Sequence, residues 1–130
     1  MRHYFALVHK DDDSAYGMQF PDFPGVYSAA DSQDEIIFNA IEALRLYAED
    51  SELSAPLELE TVLEQNGVRE QLAAGAYLVS VPLIDNDTAT VRVNVSFERG
   101  VLRAIDDTAG KRGLTRAAFL ASAAKQAIEA

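Results

Sequence analysis

Three sets of side chains in this sequence have the types and spacing to do chemistry. The first is acidic: Asp11, Asp12 and Asp13 are consecutive, and Asp22 follows before the next predicted strand. Carboxylates gathered near strand ends are what a nuclease uses to hold a pair of Mg²⁺ ions. Contiguous aspartates in a turn diverge, however, and a metal pair needs them convergent. The second set is His3 and His9. They share parity on one predicted strand but lie roughly 20 Å apart along it, too far to act together. Neither falls in a HExxH spacing, and there is no P-loop, GxGxxG or GxSxG segment. Cysteine is absent, which removes thiolate chemistry and Cys-ligated metals. No catalysis, metal or cofactor is expected. The third set is Arg92, Asn94 and Ser96. Alternate positions on a strand share a face, Arg can pair with guanine O6/N7, and Asn with adenine N6/N7. This is the chemistry of base reading.

The elements around the third set must place it. Thr90 to Phe97 reads TVRVNVSF, with Val91, Val93, Val95 and Phe97 alternating against Arg92, Asn94 and Ser96. That is a period-2 strand, apolar on one face and polar on the other. Residues 99–112 follow with Val101, Leu102, Ile105 and Ala109 at helical spacing, opened by Glu98 as a weak N-cap despite the low propensity of Gly100. Gly113 suits a left-handed C′ position, and Thr115 suits the N-cap of a second helix carrying Phe119, Leu120, Ala123, Ala124, Ala127 and Ile128.

A single strand cannot satisfy its own backbone, and a segment of this length buries too little apolar surface to stand alone. Both deficits vanish if two copies pair their strands antiparallel about a twofold axis. Val91, Val93, Val95 and Phe97 then form the dimer core. The outer face becomes a ribbon that fits the major groove and presents Arg92, Asn94 and Ser96 twice. The second helix start, at Thr115 and Arg116, has free N–H groups and a positive dipole end suited to a DNA phosphate.

The N-terminal stretch reads differently. Residues 2–9, 14–20, 26–29 and 77–82 are predicted strands, with a hairpin turn at Asp11–Asp13. Ser32 and Glu35 have capping-box spacing before a helix with Ile36, Ile37, Ala40, Ile41, Leu44 and Ala48 on one face, closing near Asp50. Short helical pieces flank Asn66-Gly67, at 61–65 and 68–73. In Phe20–Gly25 the aromatics are expected to pack and the prolines to fix the path between strands.

Charge divides along the same line. The 130 residues carry a net −10, which taken whole argues against a phosphate backbone as partner. Residues 1–87 hold 4 basic and 17 acidic side chains, a net of −13, whereas residues 88–130 hold 7 basic and 4 acidic, a net of +3. Opposite charges on two segments suit two partners. Apolar residues make up 48% of the chain, an ordinary globular composition. No apolar run is long enough to span a membrane and the N-terminus lacks a signal-peptide pattern, so a cytoplasmic protein is expected.

Residues 91–128 resemble a ribbon–helix–helix repressor domain, including the Gly113-Leu114-Thr115 turn and the basic Arg116 after it. The family usually has Pro or another helix starter where this chain has Glu98-Arg99-Gly100. The resemblance implies an obligate homodimer, base readout by Arg92, Asn94 and Ser96, and phosphate anchoring near Thr115. Residues 1–82 resemble the HicB antitoxin family through Tyr16-Gly17, Phe20-Pro21-Asp22-Phe23-Pro24-Gly25, Ser28 and the acidic helix start Asp34-Glu35. The family often has Cys at the position of Val26 and Gly-Asp at Ala30-Asp31. This resemblance implies a partial RNase-H-like fold and a HicA toxin as partner, a small basic RNA-cleaving protein covered by the antitoxin.

The expected architecture is α+β. An N-terminal β-β-β-α-β toxin-binding domain (1–83) and a linker (84–89) precede a dimeric ribbon–helix–helix domain (90–130). The expected function is a type II antitoxin that neutralises a HicA-like toxin and represses its own operon by binding operator DNA. Toxin contacts are expected at Asp11, Asp12, Asp13, Asp22, Glu35 and Glu42. Dimers that pair into tetramers through the N-terminal sheet are a further assembly open to such a chain. Two other readings stay open: a repressor whose N-terminal domain senses a small molecule, and a nuclease-type enzyme.

Overall fold

A computed structural model describes all of residues 1–130. The chain divides into two compact units, Met1–Asp85 and Asn86–Ala130. No helix is long and apolar enough to cross a membrane.

The first unit is an antiparallel sheet with helices. Its strands are β1 (Arg2–Lys10), β2 (Tyr16–Gln19), β3 (Tyr27–Ala30) and β4 (Tyr77–Leu83), in spatial order β3-β2-β1-β4. Register is set by Val8 opposite both Met18 and Tyr77, and by Tyr16 opposite Ala30. Alternation along β1 sends Tyr4, Ala6 and Val8 to one face, where they are fully buried with Met18, Ala30, Val81 and Leu83. Helix α1 (Ile36–Asp50) covers that face with Ile36, Ala40, Ile41 and Leu44. Leu7 points the other way and is also fully buried, as is Val62 on α2 (Leu59–Glu64), and Val68 on α3 (Val68–Ala73) is buried as well.

The sheet-forming segments and helices fall close to their expected positions, and Phe20 and Phe23 are buried as expected. Phe23 packs between Tyr4 and Tyr47, with ring centroids 5.0 and 5.1 Å away. The capping box is a correction. Ser32 makes no side-chain cap bond. The helix is entered through a 3₁₀ turn, Gln33–Glu35, in which the Glu35 N–H bonds the Ser32 carbonyl at 3.2 Å. The tighter i→i+3 turn satisfies that donor from the backbone and leaves the hydroxyl no role.

The second unit contains α4 (Arg99–Lys111) and α5 (Arg116–Glu129). Gly113 joins them at φ +68°, a left-handed conformation that costs glycine least, and the Leu114 N–H closes the turn on the Ala109 carbonyl at 2.8 Å. Here the strand expected at Thr90–Phe97 is not formed: residues 84–98 have no regular secondary structure. A strand needs a hydrogen-bonding neighbour, and this unit contains no second extended segment to supply one. Glu98 occupies the N-cap position of α4 through its backbone alone, its carbonyl accepting from Leu102 N at 3.0 Å, with no side-chain cap bond.

Candidate functional site

The C-terminal unit displays an open apolar row. Val91, Val93 and Val95 are 82, 72 and 67% exposed and Phe97 is 39% exposed, while Arg92, Asn94 and Ser96 alternate with them and are exposed as well. Only Ile105 and Ala109 of the two helices are buried, and α5 buries none of its stripe. Four large apolar side chains exposed across the seven residues 91–97 are far more than scattered surface hydrophobics.

The turn between the helices is firmly tied. Thr115 Oγ1 accepts from Ala118 N at 3.1 Å, the side-chain N-cap expected of it. Arg116 does not project freely from the helix start. Its Nε and Nη2 donate to the two carboxylate oxygens of Asp106 at 2.9 and 2.8 Å, a bidentate clamp from α5 back to α4. That bond holds the Asp106 carboxyl below its ordinary range and Arg116 above its own. Arg112 lies over the Phe119 ring at 5.7 Å, bracketing the same turn. The Arg116–Asp106 pairing has no local sequence signature, because the partners meet only after the chain has reversed at Gly113.

Carboxylates of the N-terminal unit divide into two kinds. Asp11, Asp12, Asp13, Glu35 and Glu42 are exposed. The Asp11–Ser14 turn is closed by Ser14, whose N–H and hydroxyl both donate to the Asp11 carbonyl, and Asp13 adopts φ +58°, which aspartate tolerates better than most residues. Asp22 is different. Its Oδ2 accepts from the Leu57 N–H at 2.8 Å, and Oδ1 is buried without a hydrogen-bond partner. Burial raises its carboxyl above the ordinary value, opposed by the Leu57 N–H. With Arg2 donating to the Leu53 carbonyl and the Tyr4 hydroxyl donating to the Ser54 carbonyl, Asp22 straps the irregular 51–58 segment to the unit. This strap was not read from the sequence, since its partners are more than thirty residues apart.

His9 sits against Gly17 on β2, where any Cβ would lie 2.6 Å from the imidazole. A side chain at position 17 would push the exposed His9 ring aside. No group of three or more His, Asp or Glu residues is placed to hold a metal ion. A cleft of about 220 Å³ is lined by Gln19, Pro21, Tyr27, Gln65, Asn66 and Gln71 among others. Its glutamines are engaged, Gln19 donating to Gln71 Oε1 and Gln65 to the Pro21 carbonyl. No charged side chain lines it.

An acidic sheet-and-helix unit with this strand order, followed by a helix–Gly–helix unit, can be compared with known proteins. The family model of the HicB-like antitoxin of bacterial toxin–antitoxin systems matches residues 4–124. The chain belongs to the HicB-like antitoxin family. Antitoxin HicB of Burkholderia pseudomallei is 33% identical to this HicB-like chain over 98% of its length and 96% of that protein's, with a TM-score of 0.53. A crystal structure of antitoxin HicB3 is 26% identical over 97% of each chain, with a TM-score of 0.52. A chain from a HicA3–HicB3 toxin–antitoxin complex shares the fold at 21% identity, over 64% of this chain and 99% of that one, with a TM-score of 0.52. Among curated proteins none matches this HicB-like antitoxin.

Proposed function

We propose that this antitoxin has two contact surfaces, one for a HicA-like RNA-cleaving toxin and one for operator DNA. The observation that carries the DNA half is the exposed row Val91, Val93, Val95 and Phe97 beside α4 and α5. A segment whose alternate apolar side chains are exposed lacks cover, and pairing as a strand with an antiparallel copy of itself would supply both backbone bonds and cover. On this reading residues 90–130 are a ribbon–helix–helix domain. Its homodimer carries Arg92, Asn94 and Ser96 into the major groove and represses the operon that encodes it. Thr115 anchors phosphate through the helix start it caps. Arg116, engaged with Asp106, serves the phosphate by fixing that start.

The toxin half rests on family membership and on charge. A HicA3–HicB3 complex holds a chain of this fold, and we extend that pairing to residues 1–83, read as a truncated RNase-H-like module joined to the second domain by residues 84–89. A toxin that grips RNA is basic, and the −13 carried by residues 1–87 complements it and speeds encounter. The working place of such a pair is the cytoplasm, where mRNA and the operator are both found.

The test of the DNA half uses operator fragments from the chain's own promoter. Arg92→Ala and Asn94→Ala each lower operator affinity by about 1–3 kcal/mol while leaving toxin binding intact. Unchanged affinity in both variants refutes the ribbon assignment. Co-purification with the adjacent gene product, followed by an RNA-cleavage assay, tests the toxin half.

A further inference from the structure

Helix α1 turns Ile36, Ala40, Ile41 and Leu44 inward. Its outer side is not uniformly polar. Phe38 is 59% and Leu46 67% exposed. At 3.6 residues per turn they share one stripe with Glu35, Glu42 and Glu49. Beside the stripe runs an open groove of about 470 Å³ between α1 and the outer strand β3, walled by Ala29, Asn39, Glu42, Arg45, Leu46 and Glu49 among others, so that two carboxylates and one guanidinium border it. Asn39 Nδ2 donates to the Ala29 carbonyl at 2.8 Å. That acceptor on the open edge of β3 is therefore already filled, which disfavours an added strand there and leaves side-chain contact as the way to dock.

The charge selects the occupant. Residues 31–52 contain seven acidic side chains and one basic, Arg45. A phosphate backbone or an anionic membrane is repelled by such a surface, and a second copy would bring like charge against like. A basic protein is attracted, and two apolar side chains within an acidic border give it anchors to cover once it arrives.

We propose that this stripe and groove are the seat of the basic toxin, with Phe38 and Leu46 as anchors and Glu42 and Glu49 as the acidic border. The proposal rests on the toxin-binding reading above and names its surface. The Asp11–Asp13 turn then adds long-range attraction but not the seat, and Asp22 stays internal.

The test uses the full chain and the short basic protein encoded beside its gene, in a cleavage-inactive form, by calorimetry at two salt concentrations. Leu46→Ser, Phe38→Ser and Glu42→Lys each weaken binding by about tenfold or more. The Glu42→Lys/Glu49→Lys double variant also flattens the salt dependence. Asp12→Lys changes affinity by less than about threefold. All of these side chains are exposed, and circular dichroism verifies that each variant is folded. Wild-type affinity in the Leu46, Phe38 and Glu42 variants overturns the seat, as does a larger loss from Asp12→Lys than from Glu42→Lys. If the wild-type chain itself fails to bind the basic protein, the toxin-binding reading falls and the seat falls with it.

Discussion

The Met1–Asp85 unit buries sixteen of the eighteen hydrophobic residues that are shielded from water, and Asn86–Ala130 buries the other two. The first unit has a sheet with both faces occupied, an aromatic row from Tyr4 through Phe23 to Tyr47, and side-chain straps across its irregular segment. The second has two helices, a tied turn and an apolar row in water. Apolar content alone does not explain the difference, since β1 (RHYFALVHK) and residues 90–97 (TVRVNVSF) each carry four large apolar side chains. What differs is whether the chain supplies its own partner strand. β1 finds β2 and β4 within its unit, whereas residues 90–97 find none. A unit that completes itself is free to offer its surface to another protein. A unit that does not leaves its apolar row uncovered, which is the surface the proposed dimer would close.

The largest effect is expected of Val93→Asp. In the proposed dimer it places a carboxylate from each copy in the shared core, at about 3–5 kcal/mol for each uncompensated charge. Sedimentation should show a monomer, and the thermal transition of the N-terminal unit should not move. A persisting dimer would show that the apolar row is not the interface. Leu44→Ala is the converse. Leu44 is fully buried in the N-terminal core, and its truncation should cost about 2–5 kcal/mol in chemical denaturation while the dimer survives. Thr115→Ala sharpens the second unit alone. Loss of the N-cap bond to Ala118 should cost about 1 kcal/mol, read as a lower melting temperature of the C-terminal helices.

The smallest effect is a difference in sign between two carboxylates. Asp22 has its pKa raised from 3.8 by burial, so its native state holds the proton more tightly than the unfolded chain does. Its contribution therefore falls as pH rises from 3.8 through the raised value. Asp106 has its pKa lowered from 3.8 by the Arg116 bond, so its contribution is present above 3.8 and is lost as pH falls through the lower value. Denaturation as a function of pH should show Asp22→Asn flattening the first slope and Asp106→Asn the second. The same sign for both would contradict these environments.

Periodicity made most of the fold legible. Short apolar runs marked β1 and β4, helical spacing marked α1, α4 and α5, and Gly113 with Thr115 marked the turn between the last two helices, whereas the alternation of residues 90–97 did not yield a strand. The candidate site was legible in part. Arg92, Asn94 and Ser96 announce a polar face by parity alone, whereas Asp22, grouped with Asp11–Asp13 as an expected toxin contact, is tied inside its own unit. Its tie to Leu57 joins positions thirty-five apart, and no local pattern encodes such a contact. Ser32 failed as a cap for a related reason: capping-box spacing permits the bond, but the backbone chose a 3₁₀ turn that left it unused.

Residue type and spacing were enough for the order of β1 to β4 and of α1, α4 and α5, for the split of charge between the two segments and for the alternation of residues 91–97, but not for whether that alternation forms a strand. Type and spacing act over a few neighbours. The tertiary structure decided that Asp22 is a strap, that Arg116 is held by Asp106, and that Phe38 and Leu46 lie in water on an acidic stripe. Each of these depends on which distant segments meet, and burial and hydrogen bonding are settled only when the chain has closed on itself.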